Sequence, residues 1–177
     1  MKVLLIQPPV RVDHDPVDIP AGLGILTSIA IQENYQVALL DLNAQRPIPK
    51  WMEIAQQISV EKWDVIGIGG LSSMYEDIRK VIRISRKLNP EALIVCGGGF
   101  ITYMPDKIMN FEPGIDIACI GEGEETWREI LRTYDNKNWK NIKGICYRED
   151  GKVIYTEPRP LIPNMDVIPW PSYELMI

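Results

Sequence analysis

The chain has 177 residues, of which 46% are apolar and 24% are charged, and its formal net charge is −5. This composition is typical of a globular protein with one domain of ordinary size and some additional chain. The acidic balance disfavours nucleic acid and anionic membranes as partners, and no apolar segment reaches the ~18 residues of a transmembrane helix. We therefore expect a cytoplasmic protein with no nucleic-acid partner and no membrane partner.

Five short apolar segments predict buried strands, and segments with helical spacing separate them. Pro20 fits the first position of the first helix, which is apolar nearly all round and is therefore expected to be buried. Ser73, with Glu76 three residues later, has the pattern of a capping box for the third helix. The predicted strands are 3–7, 35–40, 64–68, 92–96 and 116–120. The predicted helices are 20–31, 51–60, 73–88, 105–110 and 125–134.

The alternation of strands and helices predicts an α/β fold, with a five-stranded parallel sheet that carries helices on both faces. Right-handed crossovers leave few topologies for such a chain. Among them we expect the Rossmann-like, flavodoxin-like strand order 2-1-3-4-5, in which the third strand lies beside the first. Residues 1–134 are assigned to this domain.

The character of the chain changes after residue 134. Residues 144–148 and 153–155 flank an Asp150-Gly151 pair, and this arrangement predicts a β-hairpin. The Pro-rich segment 158–171 is incompatible with regular secondary structure. We assign residues 135–177 to this hairpin and a Pro-rich connector, and we expect the chain to be part of a longer protein.

Four of the predicted strands end in loops of distinctive sequence, at 41–43, 69–73, 97–100 and 121–125. In a parallel sheet these loops share the carboxyl edge, where such folds bind ligands. Three of the loops are rich in glycine, which lets the backbone approach a ligand closely and suggests a large flat ligand. The alternative is that turns between strands and helices simply favour glycine.

The acidic residues of the last loop disfavour a simple phosphate ligand, because they already occupy the favourable position at a helix N-terminus. Glu122 and Glu124 are suited to accept hydrogen bonds from amide or hydroxyl groups, or they only complement the helix dipole. Tyr75, Phe100 and Tyr103 lie near the glycine loops, where they either stack on a ring or pack in the protein.

The sequence offers few groups for catalysis. The one histidine, His14, lies in a charged loop, so a Ser/His/Asp triad or a histidine-rich metal site is not expected. The aspartates of the same loop are expected to be solvated rather than to hold a cation. Cys96, Cys119 and Cys146 match no metal-binding spacing and are predicted to be buried thiols. We predict no catalytic residue and no metal ligand.

An ordered set of short motifs carries a resemblance that spans essentially the whole chain. The set comprises Pro8-Pro9, Pro20-Ala21-Gly22-Leu23-Gly24, Asp41-Leu42-Asn43, residues 64–69, Gly97-Gly98-Gly99, residues 121–126, residues 142–148 and Pro169-Trp170-Pro171. It resembles the N-terminal cobalamin-binding domain of B12-dependent radical SAM enzymes.

The resemblance implies that a corrinoid binds at the carboxyl edge of the sheet, with its nucleotide tail beside the loops after strands three and four. Where the wider fold has serine after strand three, this chain has Gly69. The candidate cofactor-binding residues are Pro9, Asp41, Asn43, Gly69, Gly70, Leu71, Ser72, Ser73, Tyr75, Gly97, Gly98, Gly99, Phe100, Gly121, Glu122, Gly123 and Glu124.

Two motifs of related proteins are missing. The D-x-H-x-x-G motif, which supplies a histidine ligand to cobalt, is absent, and His14 remains only as a possible replacement. The C-x-x-x-C-x-x-C motif that holds a [4Fe–4S] cluster is also absent. The resemblance therefore implies that this chain positions cobalamin, whereas the cluster and S-adenosylmethionine belong to a C-terminal radical SAM domain of the same polypeptide, commonly a methyltransferase or a cyclase.

Two alternatives stay open at this point. One is a non-catalytic flavodoxin-like module for ligand binding or regulation. A receiver domain is disfavoured within that class, because Ile68 ends strand three where the phosphorylated aspartate would stand. The other is a nucleotide-dependent enzyme, although no P-loop motif is present.

Overall fold

The computed structural model describes residues 1–10 and 19–175. Seven strands of this part of the chain form one sheet in the order β2-β1-β3-β4-β5-β6-β7. The first five strands are parallel, which confirms the predicted order 2-1-3-4-5. The strands are β1 Lys2–Gln7, β2 Gln36–Asp41, β3 Val65–Gly69, β4 Leu93–Gly97, β5 Ile117–Cys119, β6 Ile145–Glu149 and β7 Lys152–Tyr155.

Helices cover both faces of the sheet, as predicted. The second to fifth helices contribute to one hydrophobic core, whereas the first and sixth contribute to the other. Successive residues of β1 enter opposite cores, because side chains alternate along a strand: Leu4 belongs to the first core and Leu5 to the second. The helices are α1 Ala21–Gln32, α2 Trp51–Ile58, α3 Tyr75–Leu88, α4 Gly99–Thr102, α5 Pro105–Phe111 and α6 Glu124–Thr133.

The predicted hairpin forms, but it does not stand apart from the sheet. Asp150 and Gly151 have φ values of 49° and 76°, the left-handed conformation that a two-residue hairpin turn requires. Strand β6 then pairs antiparallel with β5 and places Tyr147 opposite Ile117. The expectation of five strands plus an appendage was therefore wrong in strand count, because the hairpin covers the edge that β5 would otherwise expose. The domain division at residue 134 stays a prediction.

The start of α3 differs from the predicted capping box. Residues Ser72–Met74 form a short 3₁₀ turn, and α3 begins at Tyr75 without a side-chain hydrogen bond to cap it. Ser73 therefore lies inside a turn, where Met74 N–H donates to the Leu71 carbonyl oxygen at 2.9 Å. The capping prediction was wrong because a cap needs an extended backbone at the capping residue, and the turn removes it.

Helices α1 and α6 are joined side by side. Glu33, which follows the last turn of α1, accepts from Arg128 at 2.9 Å and from Arg132 at 2.7 Å. These hydrogen bonds, of which the bond from Arg132 has the largest effect, hold the pKa of Glu33 below its ordinary value. The Trp127 indole N–H donates to the Leu26 carbonyl oxygen at 3.0 Å. The two helices therefore form one wall.

The Pro-rich connector folds back along this wall instead of leaving the domain. Two short 3₁₀ turns, Met165–Val167 and Tyr173–Leu175, are its regular elements in the described part of the chain. The Ser172 N–H donates to the Gly24 carbonyl oxygen at 3.2 Å, and the Ser28 hydroxyl donates to the Trp170 carbonyl oxygen at 2.6 Å. Helix α1 thus packs apolar side chains against the sheet and α6, and it holds the connector through hydrogen bonds of Gly24 and Ser28. Across the described residues, no helix has both the length and the apolar character needed to cross a membrane.

Candidate functional site

A cavity of about 440 Å³ opens at the carboxyl edge of the parallel strands, between α1 and the loops that follow β3, β4 and β5. This is the edge at which parallel α/β sheets bind ligands. The three Gly-rich loops meet there. The predicted residues that line the cavity are Gly69, Gly70, Leu71, Gly97, Gly98, Gly99, Gly121, Glu122, Gly123 and Glu124.

The β3 and β4 loops touch each other through the backbone at Gly70 and Gly98, and the Ser72 hydroxyl donates to the Gly99 carbonyl oxygen at 3.3 Å. Gly98 has a φ of 88°, and a Cβ atom there would lie 2.6 Å from the Gly70 carbonyl oxygen. That same oxygen accepts the Phe100 N–H at 3.2 Å. Position 98 therefore requires glycine for both its conformation and its packing, and the contact fixes one wall of the cavity.

Other glycines face open space. A Cβ atom at Gly22, Gly121 or Gly123 would meet nothing within 4 Å, and all three residues line the cavity. At these three positions no side chain covers the backbone of α1 or of the β5–α6 loop where it faces the cavity. A ligand in the cavity can therefore lie directly against the main chain.

The floor of the cavity is apolar. Gly67, in the middle of β3, leaves room for the Leu5 side chain, because a Cβ atom there would lie 2.5 Å from Leu5 Cδ2 and 3.2 Å from the Trp127 ring. The Trp127 side chain is 1% exposed and satisfies its N–H within the protein. Hydrocarbon and ring surface of this kind suits an uncharged ring system rather than a free ion.

The two glutamates of the β5–α6 loop have different environments. Glu122 Oε2 accepts the Ile162 N–H of the connector at 2.6 Å. Glu124 Oε2 is buried and has no hydrogen-bond partner in the protein. The connector therefore engages Glu122, whereas Glu124, which also lines the cavity, has one carboxylate oxygen that is closed off from solvent and has no donor.

The thiol in the cavity is unreactive. Cys119 lines the cavity, and burial raises its pKa to about 12, with Arg159 opposing the shift. The thiol is therefore protonated at neutral pH and is a poor nucleophile. Cys96 and Cys146 are also free and buried, as predicted.

Within residues 1–10 and 19–175, no group of three or more histidine, cysteine or acidic side chains is arranged to hold a metal ion.

Asp41 and Asn43 lie at the carboxyl edge but support the cavity indirectly. Asp41 accepts the N–H groups of Asn43 and Ala44 at 2.9 and 3.1 Å, and burial raises its pKa despite these bonds. Asn43 Oδ1 accepts the N–H of Val10 at 3.0 Å, and Val10 lines the cavity. Asp41 and Asn43 thus shape the β2 loop and fasten the β1 loop to it. A direct contact of either residue with a ligand stays a prediction.

The remaining predicted residues also lie outside the cavity lining. The Phe100 ring is 3% exposed and packs in the first core, and Pro9 is buried as well. Tyr75 packs beside that core, with its hydroxyl 3.5 Å from Glu112. Ser72 and Ser73 are exposed. The loop that holds His14 and the aspartates Asp13, Asp15 and Asp18 lies outside the described residues.

Sequence reasoning missed the floor of the cavity and its α1 wall. A glycine in the middle of a buried strand, at position 67, was the one local signal for a close approach. The sequence of α1 does not reveal which side of the helix faces the cavity, because the helix is apolar on nearly all sides. The missed lining residues are Leu5, Gln7, Val10, Pro20, Gly22, Leu23, Leu26, Gly67, Ile68, Met74, Val95, Cys119 and Trp127.

The fold and the cavity together define a Rossmann-like ligand-binding domain whose site lies at the carboxyl edge of its sheet. The model of the B12 binding domain family matches residues 16–131, which is more than half of the chain. The chain belongs to the B12 binding domain family. This membership gives no support to a flavodoxin-like regulatory module.

Two curated relatives match nearly the whole chain. An uncharacterized methyltransferase of Pyrococcus horikoshii is 35% identical and is matched over 99% of this chain and 39% of its own length. The anaerobic magnesium-protoporphyrin IX monomethyl ester cyclase of Synechocystis sp. is 30% identical, over 94% of this chain and 34% of its own length. The chain thus spans between about a third and two fifths of these relatives.

Solved structures share the fold. The radical S-adenosylmethionine methyltransferase TsrM of Kitasatospora setae, solved with cobalamin and a [4Fe-4S] cluster bound, has a TM-score of 0.76 at 20% identity and covers 96% of this chain. This chain corresponds to 31% of that protein. OxsB, a cobalamin-dependent S-adenosylmethionine radical enzyme solved with aqua-cobalamin bound, has a TM-score of 0.77 at 20% identity and covers 98% of this chain, which matches 24% of OxsB.

Proposed function

We propose that this chain binds cobalamin, with part of the cofactor inside the cavity at the carboxyl edge of the sheet. One observation carries the proposal: the bare backbone of Gly121 and Gly123 faces open space in a chain of the B12 binding domain family. The apolar floor of the cavity fits a ligand that offers ring surface.

The cavity of about 440 Å³ is too small for a whole cobalamin molecule. We therefore place the nucleotide tail in the cavity and the corrin ring outside its opening. Residues 69–71, 97–99 and 121–124 would surround the tail. These residues hold and orient the cofactor and exclude water from the tail.

When bound, the cofactor supplies a cobalt centre that carries a methyl group for transfer to a substrate radical, and that chemistry is intrinsic to the corrinoid. The chain contributes binding and orientation. Its cavity provides no reactive thiol, because Cys119 is protonated. The domain is therefore proposed to position the cofactor rather than to perform a reaction by itself.

The whole protein is proposed to be a B12-dependent radical SAM enzyme. We propose that it is either a methyltransferase or a cyclase, because one relative is named a methyltransferase and the other a cyclase. A C-terminal radical SAM domain in the same polypeptide would hold a [4Fe–4S] cluster and S-adenosylmethionine. Residues 135–177 would lead into that domain. We propose a cytoplasmic location, with no membrane or nucleic-acid partner.

Retention of a corrinoid tests the proposal directly. The purified chain is mixed with hydroxocobalamin and desalted, and its visible spectrum is recorded. We expect corrinoid absorbance to elute with the protein, and a colourless wild-type chain would contradict the assignment. For the whole protein, a C-x-x-x-C-x-x-C motif downstream of residue 177 is the expected finding.

A further inference from the structure

Thr102, the last residue of α4, lies outside the cavity lining but bonds to two loops that line it. Its hydroxyl donates to the Gly98 carbonyl oxygen at 3.0 Å and accepts the Gly121 N–H at 3.4 Å. Gly98 belongs to the β4 loop, Gly121 belongs to the β5–α6 loop, and both glycines line the cavity. One side chain therefore joins two walls of the cavity from outside it.

The β3 and β4 loops do not depend on a single bond. The pairing of β3 with β4 continues as far as Gly69 and Gly97, both of which line the cavity. Beyond the strands, the Phe100 N–H donates to the Gly70 carbonyl oxygen at 3.2 Å. Loss of one side-chain hydroxyl would therefore leave this side of the cavity in place.

Fewer hydrogen bonds join the β4 loop to the β5–α6 loop. The registered pairing of β4 with β5 ends at Cys96 and Ala118, before either loop begins. Among the residues that the structure describes, the hydrogen bond that the Thr102 hydroxyl accepts is the one that links residues 98–104 to residues 120–124. The position of the second loop relative to the first therefore depends on this hydroxyl.

The residue that Thr102 holds has little else to fix its conformation. Gly121 has a φ of 78°, and a Cβ atom there would meet nothing within 4 Å, so the surroundings do not confine this part of the loop. Glycine also has more backbone freedom than any other residue. A hydrogen bond to its N–H therefore restrains a backbone that would otherwise sample other conformations.

We infer that Thr102 is a positioning residue for corrinoid binding, because its hydroxyl holds the backbone of Gly121 in the arrangement that accepts the cofactor. This inference rests on the proposed function, and it adds a residue that acts through the β5–α6 loop without contacting the cofactor. When a loop leaves its binding-competent arrangement, the apparent Kd rises in inverse proportion to the fraction that remains competent.

Binding of hydroxocobalamin to Thr102→Val and Thr102→Ser tests the inference. Valine keeps the branched shape of threonine but has no hydroxyl, whereas serine keeps the hydroxyl. We expect Thr102→Val to raise the Kd by about 2-fold to 10-fold, as for the loss of one ordinary hydrogen bond, and Thr102→Ser to bind like the wild type. In the free proteins, amide hydrogen exchange at Gly121 should be faster in Thr102→Val and unchanged in Thr102→Ser.

The matched control is Thr156→Val. The Thr156 hydroxyl also accepts one hydrogen bond and donates another, from the Ile145 N–H and to the Ile145 carbonyl oxygen, each at 3.1 Å. Thr156 follows β7 and does not line the cavity. Its replacement should lower the urea midpoint and leave the Kd unchanged, which separates positioning of the loop from a general loss of stability.

Three results would overturn the inference and leave the proposed function intact. The first is an unchanged Kd with unchanged exchange at Gly121 in Thr102→Val. The second is an equal loss of affinity in Thr102→Val and Thr102→Ser, which would assign the effect to packing. The third is an equal loss in Thr156→Val.

Failure of the wild-type chain to bind hydroxocobalamin would overturn the proposed function, and the inference with it. Circular dichroism checks that the variants fold. If Thr102→Val is unfolded, the comparison of Thr102→Ala with Thr102→Ser decides, because these two side chains differ by the hydroxyl alone.

Discussion

Replacing Gly97 by valine should block the cavity while leaving the sheet intact. Gly97 is the last residue of β4 and lines the cavity, and a Cβ atom there would lie 3.6 Å from Cys119 Cβ, an ordinary van der Waals contact. A Cβ atom at position 97 therefore fits the free protein, and we expect the two methyl groups of valine to extend into the cavity that Gly97 lines.

The expected stability and affinity changes have opposite signs. Glycine within a strand costs roughly 0.5–1 kcal/mol relative to alanine, so Gly97→Val should leave the free energy of unfolding unchanged or raise it by about that amount. Forcing extra methyl groups into a packed complex costs about 1–3 kcal/mol, which corresponds to a Kd for hydroxocobalamin raised about 5-fold to 150-fold.

Urea unfolding and equilibrium dialysis against hydroxocobalamin measure the two quantities on the same samples. Gly97→Ala should give a smaller loss of affinity, because it adds one carbon. Gln36→Val is the matched control, since it places valine at the exposed start of β2, away from the cavity. A folded Gly97→Val chain that binds cobalamin like the wild type would show that the cavity is not the binding site.

Three further predictions concern the loops and the α1–α6 wall. Gly98→Ala should lower the free energy of unfolding by at least about 1 kcal/mol in urea, because its Cβ would lie 2.6 Å from the Gly70 carbonyl oxygen at a φ of 88°; an unchanged midpoint would contradict this packing. Glu122→Ala should accelerate amide hydrogen exchange at Ile162, and unchanged exchange would mean that the connector is held by other contacts. The folded-state pKa of Glu33 lies below its ordinary value of 4.5, so its contribution to stability is present above that pH and is lost as the pH falls through the folded pKa. Glu33→Gln should therefore lower the stability at neutral pH and flatten its decline in acid, and parallel pH profiles would refute this.

Local patterns in the sequence were sufficient to predict the central strands, the hairpin turn and the glycine loops. The continuous apolar run at residues 65–68 predicts a strand covered on both faces, and strand β3 is buried on both faces between β1 and β4. The Asp150-Gly151 pair predicts a turn with two positive φ values, and both are observed. The glycine loops were predicted to meet at one edge because parallel strands oblige them to do so. Each of these predictions depends on burial or on backbone conformation, which neighbouring residues determine.

The tertiary structure decided which distant groups meet. Strand β6 joins β5 because an exposed strand edge is available there, which the hairpin sequence does not reveal. Trp127 forms the cavity floor because α6 packs against α1, so that its indole reaches Leu26 across a sequence separation of 101 residues. Glu122 and Glu124 are indistinguishable in sequence, yet the connector returns to only one of them. Sequence by itself therefore determined the sheet and its glycine edge, whereas packing between remote segments determined the cavity and the different environments of its two glutamates.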